Sequence, residues 1–480
     1  MKIPLNRRAT EPVYLQIRDR ISRLIQSGML QPGDRLPSIR TLAEEAQVNK
    51  LTVIEAYSVL EADGLIYARP GSGYFVREES LSAIPQGIST FAPKQEVMIP
   101  EKGEMSYSEI YLASTYAQHQ GDMVMLSSGF PCPVGLDDLQ RIARRALKGV
   151  SEAMFNYNMP QGYPMLRKQI AQLLIQQGLD ISPEHLIITN GSMQALSLSL
   201  SYYVRPGDWV VVESPTYHGT LAILQDLGAR VIGIPVTQNG MNLELLEQYL
   251  HSHHPKLIYT ISTLHNPTGI TTAPSHRQQL FNLAAQYNCR VLEDNAYEGL
   301  SFEAVPPPIK ALDRSDLVTY IGTFSKTLMP GLRIGYMVVT GKHFQALLER
   351  KLLHDLSSST ITQAIVSEYL ASGHYRRHLA ALRTINLQGR NAMLCALERF
   401  FPAEASWTIP NGGLFLWVKL PDGVPIQQIC SEAATQKVMI TPGSAFFPNQ
   451  QGYPAMRLNF SQSLENIDKS IEILGRLIRR

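Results

Sequence analysis

Between His185 and Thr340 the chain repeats one pattern: a short apolar, β-rich run bounded by turn residues, most often followed by a helix-length stretch. The runs are HLIITN, DWVVVES, RVIGIPV, KLIYTIS, RVLEDN, LVTYIGT and GYMVVT. Unbroken apolar runs of this length suit strands buried on both faces, and their alternation with helices predicts a largely parallel sheet between helical layers. From about His374 a long helical stretch precedes LFLWVKL and MRLNFS, which predicts a smaller α+β subdomain at the C-terminus.

At 480 residues the chain exceeds one ordinary core. The first 80 or so residues follow another pattern. Leu15, Ile17, Ile21, Leu24 and Ile25 form a helical stripe, and QPGDRLPS breaks it. Ser38 is placed to cap a short helix, IRTLAEEA. A tight turn at Gln47 and Val48 follows, and Asn49 can cap a third helix that turns Val53, Ala56, Tyr57 and Leu60 inward and stops at Gly64. LIYARPGSGYFV then reads as a hairpin. From Arg77 to about Gln118 periodicity fails amid Pro, Ser, Gly and charge, which predicts a linker. The expected organisation is a small domain of three helices and a hairpin over 1–78, a linker over 79–118 and a large domain over 119–480.

Cysteines 132, 289, 395 and 430 are scattered, which excludes a disulfide framework and a zinc motif, and no metal is expected. No run approaches the roughly 20 apolar residues of a membrane span. MKIPLNRR has no apolar stretch behind its charges, so a cytoplasmic protein without a membrane partner is expected. Net charge is +2; basic residues exceed acidic ones up to Lys50 and nearly balance by Glu79, so a nucleic-acid partner must be argued from motif.

In a helix-turn-helix the second helix enters the major groove by its N-terminal residues. Here Asn49, Lys50 and Thr52 offer amide, ammonium and hydroxyl groups. Arg40 and Arg35 can meet phosphate, and Arg69 with the small residues at Gly71 lets the hairpin tip approach DNA. GDRLPSIRTLAEEAQVNKLTVIEAYSVLEADGLIYARPGSGYFV resembles the GntR family of bacterial regulators. The resemblance implies DNA contacts at Arg40, Lys50, Thr52 and Gly71, and departs at Ile54, where some members place an arginine.

Four strand ends and a strand–helix junction in the large domain carry a second chemistry. TNGSMQAL opens a helix after a strand, so backbone donors at Ser192 and Met193 face an anion. Tyr217 follows a strand and can stack on a ring. Asn266 in HNPTG and Tyr297 can donate to a phenolic oxygen, and Asp294 can hold a proton on a pyridine nitrogen. Lys326 stands among Thr323, Ser325 and Arg333, as an amine beside a phosphate site. Together these are the groups pyridoxal phosphate needs: an attaching lysine, a pyridine counter-ion, phenolic donors, a stacking plate and a phosphate cluster.

From about Gly129 onward the chain resembles fold-type-I aminotransferases through HNPTG, Asp-x-x-Tyr and SK-x6-R. The resemblance implies an effector- or substrate-carboxylate contact at Arg457 and a cofactor-phosphate contact at Tyr157 donated across a dimer. Met193 departs from the polar residue often found there, with its backbone donor intact. The two halves in this order resemble the MocR (GabR-like) branch of GntR regulators. The expected fold is therefore an N-terminal all-α winged helix-turn-helix followed by an α/β pyridoxal-phosphate-dependent transferase fold of type I, with its small α+β subdomain. The expected protein is a head-to-tail homodimer that binds a double-stranded DNA operator and senses pyridoxal phosphate or its adduct with a small amino compound. An active aminotransferase with a self-regulatory DNA-binding domain is the rival, since the catalytic-type residues are all present. A DNA-binding protein with an inert dimerisation domain is disfavoured by that same set.

Overall fold

The computed structural model describes residues 13–26, 30–31, 33–62, 65–69, 73–76, 112, 116, 121, 123–148, 152–449 and 452–480. The chain divides into two compact units, Met1–Ile88 and Ser89–Arg480. The predicted linker lies outside the described residues except for Leu112 and Tyr116, as do both predicted domain boundaries.

In the first unit α1 (Val13–Gln26), α2 (Ile39–Ala46) and α3 (Lys50–Ala62) precede a hairpin of β1 (Ile66–Arg69) and β2 (Gly73–Val76). Ser38 caps α2 by accepting from the Thr41 amide, and Gln47 at φ 52° turns the chain toward α3. Asn49 Oδ1 accepts from the Leu51 amide at 3.0 Å, which satisfies a free donor of the α3 first turn. The apolar stripe of α1 buries Ile17, Ile21 and Ile25 against Val53, Ala56, Tyr57 and Leu60, each large side chain contributing about 1.5–3 kcal/mol. Tyr57 Oη donates to Pro37 O at 2.8 Å, anchoring the segment that reads in sequence as a mere break. That segment also bonds the wing: Gly33 N donates to Val76 O and Leu36 N to Tyr74 O, both at 2.9 Å, and Arg35 bridges Phe75.

In the second unit the strands are β3 (Val124–Met125), β4 (Leu186–Thr189), β5 (Trp209–Ser214), β6 (Arg230–Thr237), β7 (Gly240–Met241), β8 (Leu257–Thr260), β9 (Arg290–Asp294), β10 (Val318–Thr323) and β11 (Gly335–Val338). The described residues form an eight-stranded sheet in the order β4-β11-β10-β9-β8-β5-β6-β7. Strands β10, β9, β8, β5 and β6 are parallel neighbours, while β11 runs antiparallel to both β10 and β4. All seven predicted runs lie in this sheet; the two-residue β7, folded back on β6, is too short to show a period. The parallel strands are buried almost throughout, as their unbroken apolar runs require.

The smaller subdomain follows. Strands β12 (Ser406–Trp407), β13 (Phe415–Lys419), β14 (Val438–Met439), β15 (Thr441–Pro442) and β16 (Ala455–Asn459) complete the set. Of these, β12-β13-β16-β15 make an antiparallel sheet. The helices His374–Phe400 and Leu464–Ile478 pack against each other over its core, with Leu397, Leu416, Leu458, Ile467 and Leu474 buried between. Gly389 allows the long helix to press close, because a Cβ there would come within 2.1 Å of the Phe460 carbonyl oxygen. Parallel pairing of β3 with β14 ties residues 124–125 to this subdomain. Among the described residues no helix is long and apolar enough to cross a membrane.

Candidate cofactor site and DNA interface

The carboxyl ends of parallel strands are where an α/β sheet offers open backbone and side chains to a ligand. Here the last residue of β9, Asp294, and the chain beyond β5, β8 and β10, with Tyr217, Asn266 and Lys326, meet at one cavity of about 620 Å³. Ser192, Met193, Tyr297, Ser325, Arg333 and Arg457 complete its predicted wall.

Asp294 ends β9 and is 3% exposed. Its Oδ2 accepts from Tyr259 Oη at 2.9 Å and its Oδ1 from the Ala296 amide at 3.2 Å. Burial lifts its pKa to about 6, against the pull of those two bonds and of the Lys326 charge. A buried carboxylate held near neutrality is well placed to share a proton with a basic ring nitrogen. Lys326 stands three residues past the end of β10. Burial, then the charges of Arg457 and Arg333, bring its amine down to about 8, with Asp294 opposing. A neutral, nucleophilic fraction therefore exists near pH 7.

Asn266 joins two predicted contacts. Its Nδ2 donates to Tyr297 Oη at 3.3 Å, and its Oδ1 accepts from Arg457 Nη1 at 3.0 Å. Arg457 lies on β16, 3% exposed, with its guanidinium over the Phe415 ring at 4.1 Å and near that of Phe446 at 5.0 Å. Its Nη2 donates to Ser127 O at 2.5 Å, while its Nε is buried without a hydrogen-bond partner. Burial lowers its pKa to about 10, so it remains a cation at neutral pH.

At the strand–helix junction Gly191 has φ 79°, and the helix Ser192–Tyr203 starts directly after it. A Cβ on Gly191 would come within 2.5 Å of Arg333 Nη2, so glycine is what lets the guanidinium lie over the helix start. Arg333 Nη2 donates to Asn190 O at 3.1 Å. Thr323 is not among the cavity's wall residues; its hydroxyl donates to Ile334 O at 3.1 Å, accepts from the Ser325 amide at 3.1 Å and lies 3.1 Å from Ser325 Oγ. It fixes Ser325, which does line the cavity. Tyr217 Oη donates to Met193 Sδ at 3.3 Å, so the unexpected methionine props the predicted stacking ring. Tyr157 is 86% exposed and away from this wall.

Two contributors were not evident from the sequence. His218 lines the cavity beside Tyr217, and burial with the charges of Arg457 and Lys326 pushes its pKa down to about 3, keeping it neutral. Its only signal is its place next to Tyr217. Ser127, Ser128 and Gly129 also line the cavity, and a Cβ on Gly129 would stand 3.6 Å from Lys326 Nζ. Asn459 holds that loop through its side-chain NH2, which donates to Ser128 O and Phe130 O.

On the first unit, Arg35, Arg40, Asn49, Lys50 and Arg69 are exposed and Thr52 is half-buried; Gly71 lies outside the described residues. Arg40 Nε pairs with Glu44 at 3.0 Å on the solvent side.

The residues present fit pyridoxal phosphate. The cavity gathers an amine, a buried carboxylate, an amide–phenol pair and a helix start whose glycine makes room for a guanidinium. Residues 121–474 match the family model of class I and II aminotransferases, and residues 13–76 match that of the gntR family of bacterial regulatory proteins. Over 97% of its length the chain is 34% identical to the uncharacterized HTH-type transcriptional regulator YdcR of Escherichia coli (strain K12), covering 99% of that protein. It is 34% identical to aromatic-amino-acid aminotransferase 1 of Thermococcus litoralis over 75% of this chain and 88% of that enzyme. The crystal structure of Pyrococcus horikoshii kynurenine aminotransferase superposes with a TM-score of 0.74 at 33% identity, covering 78% of this chain and 95% of that one. The chain thus belongs to the class I and II aminotransferase family, whose cofactor is pyridoxal phosphate, and is a fusion of that domain to the DNA-binding domain of the gntR family of bacterial regulators.

Proposed function

We propose that this regulator senses a small amino compound at the cofactor cavity and changes its hold on a DNA operator in response. The observation that carries the reading is the complete cofactor wall on one cavity, in a chain whose full-length relatives are named as regulators. Bound there, pyridoxal phosphate supplies an aldehyde to amines and an electron-withdrawing ring.

Lys326 attaches the cofactor through its weakly basic amine. Asp294 keeps a proton at the pyridine nitrogen, with Tyr259 and the Ala296 amide holding its carboxylate in place. Asn266 and Tyr297 would donate to the cofactor's phenolic oxygen, and Tyr217 would cover its ring. The Ser192 and Met193 backbone, Ser325 (fixed by Thr323) and Arg333 hold the phosphate, with Tyr157 reaching it from a second copy of the chain. Arg457 binds the effector's carboxylate in a site dry enough to make the pairing strong. A homodimer belongs to this reading because Tyr157, 86% exposed, contacts the phosphate from the second copy. The operator contacts of this reading are Arg35, Arg40, Asn49, Lys50, Thr52, Arg69 and Gly71, and an operator partner goes with a cytoplasmic protein. Coupling needs only that the reacted and unreacted cavities favour different states of the dimer.

One observation favours a second reading, an aminotransferase that also binds DNA: Lys326, Asp294 and Arg457 are all in place. Turnover separates the two. The regulator gives at most one slow half-reaction with an amino acid, whereas the enzyme cycles when a keto acid is supplied.

A further inference from the structure

Helix α3 carries two apolar side chains on the side away from its core. Val53, Ala56, Tyr57 and Leu60 are fully buried, while Leu51 is 69% and Ile54 39% exposed. Three residues apart on a helix, Leu51 and Ile54 are surface neighbours. They stand at the start of the element that a helix-turn-helix inserts into the major groove.

The polar groups nearby are partly committed elsewhere. The carbonyl oxygen of the Asn49 side chain accepts from the Leu51 amide, and Arg40 is paired with Glu44. A cation at position 54 would add attraction to any phosphate backbone; isoleucine adds none. What an apolar pair can do in the groove is distinguish one base, because thymine alone presents a methyl group there.

We propose that Leu51 and Ile54 read thymine methyl groups, so that they set operator specificity by apolar contact while Lys50 and Thr52 supply polar contacts. The inference rests on the operator-binding reading above. Burying one methyl group is worth about a fourfold change in affinity.

The test uses the full-length protein and a duplex recovered with it by selection from a randomised library. Uracil replaces thymine one position at a time, which removes only the methyl group. At one or two positions in each half-site the wild-type protein should bind the uracil duplex about fourfold more weakly. Leu51→Ala keeps a strong helix former at an exposed site, so the helix is retained. It should lose about the same factor on the thymine duplex and nothing further on the uracil duplex; Ile54→Ala should behave likewise at a neighbouring position. Sequence-specific binding that is indifferent to uracil everywhere would overturn this inference and leave the operator-binding reading standing. So would a Leu51→Ala loss that is equal on both duplexes. Recovery of no specific duplex at all would overturn both.

Discussion

Arg457 Nη1 donates to Asn266 Oδ1 at 3.0 Å, and through that amide the guanidinium is linked to the Tyr297 hydroxyl. In the proposed reading a carboxylate arriving at Arg457 would meet a group already bonded to Asn266 and, through it, to Tyr297. Effector binding and the cofactor's electronic state would then be joined through one side chain.

Arg457→Ala should abolish the response to amino compounds that carry a carboxylate and spare the response to simple amines. Truncating one partner of a buried charge pair costs about 2–5 kcal/mol. Absorption titrations of the cofactor-loaded protein with both ligand classes measure this. Equal loss for both classes would make Arg457 a structural residue.

Cofactor attachment should depend on pH with a definite sign. The attacking amine must be neutral, and Lys326 loses its proton at about 8, well below an ordinary lysine. In stopped-flow mixing of apo-protein with pyridoxal phosphate, the rate should climb from pH 6 to about 8 and level off above. Borohydride reduction followed by peptide mass spectrometry should locate the cofactor on Lys326, and Lys326→Ala should lose it. A rate still climbing steadily to pH 10 would mean that the amine is unperturbed.

Asp294→Asn should weaken the response to amines more than it weakens cofactor retention. Asparagine cannot supply the charge that keeps a proton on the ring nitrogen, while the phosphate contacts are untouched. Burial raises the Asp294 carboxyl to about 6 in the empty cavity, and a protonated ring nitrogen beside it lowers that value, so the loaded wild-type spectrum should hold steady through pH 6 and change only at more acid pH. Unchanged spectra and unchanged amine exchange in Asp294→Asn would remove the pairing from the account.

Much of this was legible in sequence because it is local. Asp294 ends a strand, and Lys326 and Asn266 follow strands, whose unbroken apolar runs mark them as buried and parallel, and short motifs mark what comes next. Ser38 and Asn49 could be recognised as caps for the same reason. What escaped depends on distant partners. The Ser127–Gly129 wall is held by Asn459, over 300 residues away, and no local period announces that contact. Thr323 reads as a cavity residue by its place at a strand end, yet its hydroxyl is spent on Ile334 and Ser325. Met193 reads as a departure from pattern and serves as the acceptor for Tyr217.

Gly191→Ala should weaken retention of the cofactor phosphate. Its φ of 79° with ψ of 170° is a conformation almost confined to glycine, costing a side chain of order 1–3 kcal/mol. The new methyl would also displace Arg333. Dialysis of the loaded variant should release cofactor roughly ten times faster, with the thermal unfolding of the first unit unchanged. Retention equal to wild type would place the phosphate elsewhere.

If chemistry at Lys326 governs DNA binding, the operator affinity of the full-length, cofactor-loaded protein must respond when it is measured across a panel of amino compounds. At least one compound should shift the affinity by about five- to 150-fold, the usual span of allosteric coupling. Lys326→Ala should show no shift with the same compound. Affinity unmoved by every compound, together with steady turnover when a keto acid is added, would contradict the account and identify an aminotransferase that happens to bind DNA.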